Sequence, residues 1–569
     1  MNIKNLVAVA ALCLPVVQAT AQSKAPEHWF NLEQSKDNVN GTGGDDALQR
    51  LKQKGKKGQT VIVAVLDSGV EVDHEDLKDV MWTNPNEIPG NGKDDDNNGY
   101  VDDMHGWNFL GGKDGRNINH ESLELTREYV RLGKKFASVD ANSLSGADKK
   151  EYEYYLGVKE AFEDQRAGAQ RQMEKVTEQL KPIESAFDAV EKALGKTEFT
   201  QDELGTVNVS GNAELQASVE MVKRMMGQGM ASRKDLEDAK KQMSEQVYNQ
   251  LEYQLNPNFN PRDIVGDDPY DTSNRFYGNN DYEGPDAFHG THVAGIIAAN
   301  RNNAAGIRGV ADNVKIMTVR CVPDGDERDK DVANAIYYAV DNGASIINMS
   351  FGKGYSPQKE YVDAAMRYAA EHDVLLVHAA GNDASNNDTD TNFPNDNYSK
   401  AVKRGLFKKE KAVPTWMEIG ALHYRTGEGR VARFSNYGKK NVDLFSPGVQ
   451  LYSTVPDGGY GNASGTSMAC PAAAGVAAIL RSYYPELSAV QVKSILEKSV
   501  NKQTGEVNKP GTTEKVAFTE LCVSGGTISA PNAVELAEKT KAAKASSKAI
   551  WREAGAGKIK TNLARQPRA

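Results

Sequence analysis

This chain has few cysteines and no net positive charge, and it lacks long apolar runs after its N-terminus. No apolar run after the N-terminus reaches the roughly 20 residues that a membrane-spanning helix needs, so we expect no transmembrane anchor. The formal net charge of −10 gives no reason to expect nucleic acid as a partner. Of the four cysteines, only Cys321, Cys470 and Cys522 follow the N-terminal segment. Three cysteines cannot all be paired, so we expect buried thiols, although the sequence leaves one bridge open.

The first residues have the features of a secretory signal. Lys4 gives a positive start, residues 6–17 are apolar, and residues 19–21 match the small-x-small cleavage pattern. The alternative is a buried N-terminal helix, but Pro15 and the abrupt change to polar residues weigh against it. We therefore predict a signal peptide at 1–21 and a secreted or periplasmic protein.

Short apolar segments alternate with helical patterns along most of the chain. Residues 60–66 form a β-branched apolar run that ends at Asp67, which is typical of a strand buried on both faces of a parallel sheet. Similar runs lie at 314–319, 345–349 and 374–378, and helical patterns lie at 330–340 and 361–372. The alternation predicts an α/β fold with helices on both sides of a parallel sheet. Active sites in such sheets lie beyond the carboxyl ends of the strands, where Asp67 is placed.

The composition changes between residues 117 and 277. Glycine becomes rarer, Lys, Glu and Gln dominate, and Thr200 with Glu203 forms a helix-capping pattern. Seven apolar residues within 173–194 alternate spacings of three and four, which is typical of a seam between packed helices. Pro182 lies inside this seam and is expected to kink or divide the helix. We predict a mainly α-helical insertion at 117–277; the alternative is a charged, solvated hairpin without a specific role.

The length and the insertion together define the predicted domains. A chain of 569 residues is too long for one compact core, so at least two units are expected. We place the α/β domain at 22–116 and 278–538, on either side of the insertion. Residues 539–569 carry nine Lys or Arg and a single acid, Glu553, and are expected to form a flexible basic tail.

Three segments offer the groups that peptide hydrolysis by a serine requires, namely a hydroxyl nucleophile, an imidazole base and a buried carboxylate. Asp67 ends a buried strand, and His289 opens a segment of small residues. Ser467 begins a helix whose free N–H groups suit a developing oxyanion. Taken singly, the segments have simpler explanations as a turn, a metal site and a helix N-cap. His289 and His292, however, lack the spacing of the zinc-protease motif.

Together the three segments resemble the signatures of the subtilase family. Asp-Ser-Gly from Asp67, His-Gly-Thr-His-Val-Ala-Gly from His289 and Gly-Thr-Ser-Met-Ala around Ser467 match them, in the chain order Asp, His, Ser. The resemblance covers about residues 26–116 and 278–538 and implies a subtilisin-like parallel sheet flanked by helices. It further implies a secreted serine endopeptidase that cleaves proteins or peptides with this triad. The alternatives are an exopeptidase with a restricted cleft and an inactive binding protein of the same fold; the oligomeric state stays open.

The resemblance also implies the residues beside the triad. Asn382, at the end of Ala-Ala-Gly-Asn, matches the side-chain donor of the oxyanion hole, and the backbone N–H of the nucleophile is the second donor. Gly381 is expected to contact the substrate. Ser350, Phe351 and Gly352 match the strand that borders the pocket for the substrate's P1 side chain. Because no charge can be assigned to the floor of that pocket, an apolar or mixed P1 preference is expected.

Two features depart from the family pattern. Ala472 stands where the family usually has a histidine, which affects local packing rather than the triad. About 45 residues separate the predicted cleavage site from Asp67, which leaves no room for the usual N-terminal prodomain. We therefore expect an unconventional route of maturation.

An acidic loop at residues 94–103 is typical of a calcium site. Alternate acidic and amide side chains, a glycine and a further aspartate follow the first nine positions of an EF-hand loop. The predicted ligands are Asp94, Asp96, Asn98 and Asp102. His105 replaces the twelfth-position glutamate, so a complete EF-hand is not expected. We predict a structural Ca2+; the alternative is a solvated acidic turn.

Asp76 is a further predicted metal ligand. It matches a calcium ligand of many subtilases. Its partner loop is expected near Asn302.

Overall fold

The computed structural model describes residues 25–227, 230, 232–304, 306–404 and 408–543. The chain divides into two compact units. Among the described residues, one unit contains 120–260, and the larger contains 25–119 and those from 261 to 543. The predicted signal peptide and residues 544–569 of the predicted tail lie outside the described residues.

The larger unit is built on one mostly parallel sheet. Helices and strands are numbered here in chain order. Its nine strands are β1 Val61–Asp67, β2 Gly106–Asn108, β3 Val314–Arg320, β4 Ile346–Met349, β5 Leu375–Ala379, β8 Trp416–Leu422, β9 Leu444–Pro447, β12 Asn501–Lys502 and β15 Gly526–Thr527. Their order across the sheet is β12-β15-β9-β8-β5-β4-β1-β3-β2. All neighbours pair in parallel except β12 and β15, so the predicted parallel sheet is confirmed.

Helices cover both faces of this sheet. The larger unit contains α1 Gln34–Asp37, α2 Gly44–Gln53, α8 Phe288–Ala298, α9 Asp329–Asp341, α10 Lys359–Glu371, α11 Thr466–Tyr483, α12 Ala489–Lys498 and α13 Ala530–Lys539. Val63 and Val65 of β1 join a core cluster with α8 and α11, whereas Ala64 and Leu66 join a second cluster with α9 and α10. Because successive side chains of a strand point to opposite faces and both faces are covered, β1 is apolar from Val61 to Leu66.

Three antiparallel pairs lie apart from the main sheet. They are β6 Asn397–Arg404 with β7 Lys408–Ala412, β10 Leu451–Val455 with β11 Gly459–Ala463, and β13 Glu506–Asn508 with β14 Lys515–Ala517. The β10–β11 hairpin packs beside α8 and is hydrogen-bonded to it. Ser453 Oγ donates to the His292 carbonyl at 2.8 Å, and Thr454 Oγ1 donates to the Thr291 carbonyl at 2.7 Å. These bonds support the helix that carries His289.

The smaller unit is helical. It contains α3 Glu124–Phe136, α4 Gly146–Leu194, α5 Gln201–Leu204, α6 Ala213–Gly227 and α7 Arg233–Asn249. Phe187 and Val190 of the predicted seam lie in one cluster with Val222 of α6 and Leu236 of α7. Pro182 was expected to kink or divide the helix, and α4 continues through that residue without a division. We attribute this to the buried seam, which stabilises the helix beyond the hydrogen bond that proline removes.

The segment after residue 260 belongs with the larger unit, although its composition placed it in the insertion. Arg262 is buried and forms ion pairs with Asp331 and Asp267, each at 2.8 Å. The Tyr277 hydroxyl donates to Asp331 Oδ1 at 2.6 Å. Such buried ion pairs require the surrounding core, so the composition change does not coincide with the structural boundary.

Among the described residues, the three cysteines are free and buried, as expected. None of the helices in the described part of the chain is long and apolar enough to cross a membrane.

Candidate active site

Asp67 and His289 form a hydrogen-bonded pair at the carboxyl end of β1. His289 Nδ1 lies 2.7 Å from Asp67 Oδ1, and the carboxylate is 2% exposed. The Ser68 N–H also donates to Asp67 Oδ1 at 2.8 Å. A Cβ built on Gly290 would lie 2.0 Å from the Gly69 carbonyl oxygen, so only glycine lets α8 approach the strand end this closely. The pair depends on small residues in both predicted motifs.

The carboxylate changes the acidity of the imidazole. Burial lowers the pKa of His289, but the charge of Asp67 and its hydrogen bond raise it more, so the net pKa lies above its ordinary value of 6.5. The bond to Nδ1 leaves Nε2 as the atom that can take up a proton. This arrangement gives a base whose tautomer and orientation are held by a buried carboxylate.

Ser467 is the second residue of α11. Its hydroxyl donates to the Ser350 carbonyl at 3.1 Å, and the Ser350 hydroxyl donates back to the Ser467 carbonyl at 2.9 Å. Within the described part of the chain, no hydrogen bond joins Ser467 to His289. Catalytic hydrogen bonds of this kind are often long before substrate binds and tighten in the complex.

Asn382 and the Ser467 backbone face a common space. The Asn382 side-chain oxygen accepts from the Thr466 N–H at 2.9 Å and from the Thr466 hydroxyl at 3.0 Å. Because the oxygen faces Thr466, the side-chain nitrogen Nδ2 of Asn382 points away from Thr466. A Cβ built on Gly465 would lie 3.6 Å from both Asn382 Nδ2 and Ser467 N, so the two donors border the same volume. Two N–H donors around one such volume can hold an anionic oxygen.

The comparison with known proteins agrees with this geometry. The sequence model of the subtilase family matches residues 58–516. This chain belongs to the subtilase family.

Two relatives of known name are similar to parts of this chain. The thermophilic serine proteinase of Bacillus sp. strain AK1 is 37% identical over 229 residues, which are 40% of this chain and 50% of that protein. Subtilisin DY of Bacillus licheniformis is 34% identical over 214 residues, which are 37% of this chain and 69% of that protein. The match to the first of these spans half of its length. Among solved structures, a protease of Pseudoalteromonas arctica is 27% identical, with a TM-score of 0.35 over 46% of this chain and 78% of its own.

The predicted substrate segments of this subtilase lie around a residue that the sequence did not single out. A Cβ on Gly352 would lie 2.7 Å from Asn392 Oδ1, and one on Gly381 would lie 3.6 Å from Asn392 Nδ2. The amide also donates to the Ala380 carbonyl at 3.2 Å. Asn392 therefore lies between the segment Ser350–Phe351–Gly352 and Gly381. Nothing local marked it, since it lies in an irregular polar loop.

His292 lies apart from the Asp67–His289 pair. It is fully buried, and its Nε2 lies 3.1 Å from the Leu451 carbonyl and 3.2 Å from the Gly461 carbonyl. Burial first, and then the neighbouring His289, lower its pKa to about 4. His292 is thus neutral at ordinary pH and is directed to the β10–β11 hairpin. The arrangement does not make a shared ligand pair of the two histidines.

The acidic loop brings only part of the predicted ligand set together. Asp94 accepts the N–H groups of Asn98 at 3.0 Å and Gly99 at 2.8 Å, so it caps the turn. Asp102 likewise accepts the N–H groups of Asn91 and Gly92. Both carboxylates therefore accept hydrogen bonds from the backbone of their own loop.

Asp96 instead joins Glu87 and Asp103, which the sequence did not single out. Carboxylate oxygens of these three residues lie within 4.8 Å of one another. The Asn98 amide donates to Asp96 at 3.2 Å and to Asp103 at 3.1 Å. Burial raises the pKa of Asp103 to about 7 and also raises the pKa values of Glu87 and Asp96. The sequence comparison covered only the loop itself and so did not include Glu87, which lies seven residues before it.

Asp76 contacts the loop after Asn302, which was expected to be its partner. It is fully buried, and its carboxylate accepts from the Asn303 amide and, at 2.9 Å, from the Ile307 N–H. A Cβ on Gly306 would lie 2.1 Å from Asp76 Oδ2. The loop therefore wraps closely around this carboxylate.

Proposed function

We propose that this protein is a serine endopeptidase that cleaves peptide bonds in proteins, with Asp67, His289 and Ser467 as its catalytic triad. The observation that carries the proposal is the 2.7 Å bond between His289 Nδ1 and the buried Asp67. It gives an imidazole with a fixed tautomer and a free Nε2, which a serine nucleophile requires.

The proposed reaction is a two-step acyl transfer. Ser467 Oγ attacks the carbonyl carbon of the scissile peptide bond, and its proton passes to His289 Nε2. The developing oxyanion accepts hydrogen bonds from Asn382 Nδ2 and the Ser467 N–H. His289 then protonates the leaving amine, which separates from the acyl-enzyme. Water hydrolyses the ester by the same steps, with His289 again as base and Ser467 released.

Asn392 is proposed to contact the substrate's P1 side chain. It lies between Gly352, which is predicted to border that side chain, and Gly381, which is predicted to contact the substrate. An amide at this place offers a donor and an acceptor but no charge. We therefore propose a preference for uncharged P1 residues, which refines the apolar or mixed preference expected from the sequence.

We further propose a structural Ca2+ at Glu87, Asp96 and Asp103. Two of these carboxylates, Glu87 at 7% exposure and Asp103 at 0%, are buried, so their negative charges are expensive without a cation nearby. Carboxylate oxygens are ligands that Ca2+ prefers, and the donor set fits this ion. When bound, the ion would neutralise the cluster and stabilise the acidic loop. Asp76, which is contacted by Asn303, Gly306 and Ile307, is proposed as a ligand of a second ion.

The place of action is proposed to be outside the cytoplasm. The support is the signal-like sequence of residues 1–21. The amino terminus of protein recovered from culture medium or periplasm tests it, with Gln22 as the expected first residue and an unprocessed Met1 as the contradicting one.

The experiment that tests the peptidase proposal is digestion of an unfolded protein such as reduced, alkylated casein. Full-length protein should release internal fragments of mixed length, and Ser467→Ala should release none. Ser464→Ala, which changes an exposed serine three residues away, is the matched control and should act like the wild type. Release of single residues or dipeptides from one end would show an exopeptidase, and no release by the wild type would favour an inactive binding protein.

A further inference from the structure

A basic hairpin leaves the larger unit directly after the residue proposed to contact P1. Strands β6 and β7, with their connection, occupy residues 397–412 and carry six Lys or Arg against one acid, Glu410. The chain as a whole has a net charge of −10, so this hairpin is a local reversal of sign. We call it the basic hairpin.

The register of the basic hairpin places basic residues on both strands at paired positions. Lys403 pairs with Lys409, and Arg404 pairs with Lys408. The two strands therefore gather basic residues in one short ribbon.

Few carboxylates in the described part of the chain neutralise the positive charges of the exposed lysines in the hairpin. Lys400 is 79% exposed and forms an exposed ion pair with Glu360 at 2.7 Å, which is worth little in water. Lys409 and Lys411 are exposed, and neither forms an ion pair with a carboxylate of the described residues. These three ammonium groups are therefore available to an approaching anion.

The base of the hairpin is held firmly to the larger unit. The Ser399 N–H donates to Asp363 Oδ2 at 2.7 Å, and Lys359 Nζ donates to the other oxygen of Asp363 at 2.6 Å. Tyr398 packs against the core cluster on the α9–α10 face. The basic strands are thus fixed in place on a helix of the α/β domain.

The hairpin also begins close to the proposed cleft. Asn392 precedes Asn397, the first residue of β6, by five positions. Phe393, next to Asn392, exchanges both backbone hydrogen bonds with Lys353 at 2.9 Å, directly after the segment that ends at Gly352. The ribbon therefore starts beside the wall of the proposed P1 pocket.

We propose that the basic hairpin is an exosite that binds acidic segments of protein substrates and so favours their cleavage, an inference that rests on the proposed peptidase function. Its position beside the cleft favours a polypeptide substrate over a separate polyanion. Basic surfaces beside a cleft raise the rate of association with anionic ligands by at least about tenfold at low salt. Such an effect weakens as salt screens the charges.

The test compares peptides that share one cleavage site mapped from the casein digest. One is neutral, one has four added glutamates before the site, one has them after it, and one has four lysines instead. We expect wild-type kcat/KM to be about tenfold higher for at least one glutamate peptide than for the neutral one at low salt. The triple variant Lys400→Gln, Lys409→Gln, Lys411→Gln should lose that preference and cleave the neutral peptide as the wild type does.

The matched control removes the same charge elsewhere. Lys52→Gln, Lys57→Gln, Lys498→Gln changes three exposed lysines of the larger unit and should keep the preference. Equal rates for all peptides, or a preference that survives in the hairpin variant, would overturn the proposal. Heparin or RNA that binds through the three hairpin lysines while acidic peptides gain nothing would also overturn it.

A binding measurement separates this proposal from the peptidase proposal. Fluorescence anisotropy of labelled glutamate peptides with Ser467→Ala protein does not depend on turnover. Tighter binding of those peptides than of the neutral peptide, lost in the hairpin variant, supports the exosite even if no cleavage is seen. Cleavage of the neutral peptide without any such difference in binding supports the peptidase and overturns the exosite.

Discussion

The side-chain oxygen of Asn382 accepts the Thr466 N–H at 2.9 Å and the Thr466 hydroxyl at 3.0 Å. Thr466 Oγ1 also accepts the Gly381 N–H at 3.1 Å. These bonds fix which end of the Asn382 amide faces the space beside Ser467. A threonine next to Ser467, the proposed nucleophile, thereby orients a donor that lies 84 residues away in sequence.

We predict that Asn382→Ala lowers kcat by about 10² to 10³ with little change in KM, because the lost donor acts on the oxyanion of the transition state. Thr466→Val should lower kcat about tenfold, since it removes a hydrogen bond that only positions the donor. Thr466→Ser keeps the hydroxyl and is the control. Steady-state kinetics on one peptide measure all three, and equal kcat in Asn382→Ala and wild type would contradict the oxyanion role.

The pKa shift of His289 predicts the pH dependence. Only the neutral imidazole can accept the Ser467 proton, and Asp67 holds the pKa of His289 above 6.5. The kcat/KM profile should therefore fall on the acid side with a midpoint above 6.5. His292, with its pKa near 4, does not titrate in that range.

Removal of the Asp67 carboxylate should move the acid-side fall of the kcat/KM profile to lower pH. Asp67→Asn removes the charge that raises the pKa of His289, so the midpoint should shift to lower pH while kcat falls by about 10⁴. A rate that is flat between pH 5 and 8 in the wild type would contradict the assignment of His289 as the base.

Asn392 predicts how the P1 preference can be changed. Asn392→Asp places a negative charge between Gly352 and Gly381, so peptides with Lys or Arg at P1 should gain about tenfold or more in kcat/KM over the wild type. Peptides with an uncharged P1 residue should gain nothing. Asn508→Asp, at an exposed residue of β13, is the matched control. An unchanged preference in Asn392→Asp would place the P1 side chain elsewhere.

Removal of calcium should destabilise the protein. We expect EDTA to lower the Tm of Ser467→Ala protein, which cannot digest itself, and added Ca2+ to restore it. Asp103→Asn in the same background should reduce the part of the Tm that depends on Ca2+, because it removes a buried anionic oxygen from the cluster. Glu506→Gln, an exposed acid of β13, should leave it unchanged. Identical Tm values with EDTA and with Ca2+ would contradict both proposed sites.

Sequence predicts well those features of the molecule that have local causes. The apolar run of β1 is buried on both faces, and that alone indicates a parallel sheet with helices on either side. Short motifs carry Asp67, His289 and Ser467 because each needs small residues at its own strand end or helix start. Gly290 against Gly69 shows the physical reason.

The parts that sequence did not predict depend on contacts between distant segments. Asn392 lies against Gly352 and Gly381 only because an irregular loop returns to the sheet. Glu87 reaches the acidic loop from outside the pattern that an EF-hand comparison covers. The helix of 49 residues, α4, continues through Pro182 because its neighbours bury the seam, and a local rule for proline does not include them.

The most direct test of the central claim is the site of reaction with a fluorophosphonate, which modifies only an activated serine. Peptide mapping by mass spectrometry should find one adduct, on Ser467, that is absent from heat-denatured protein and from His289→Ala. Absence of an adduct on folded, processed protein, or an adduct on another serine, would contradict the proposed triad.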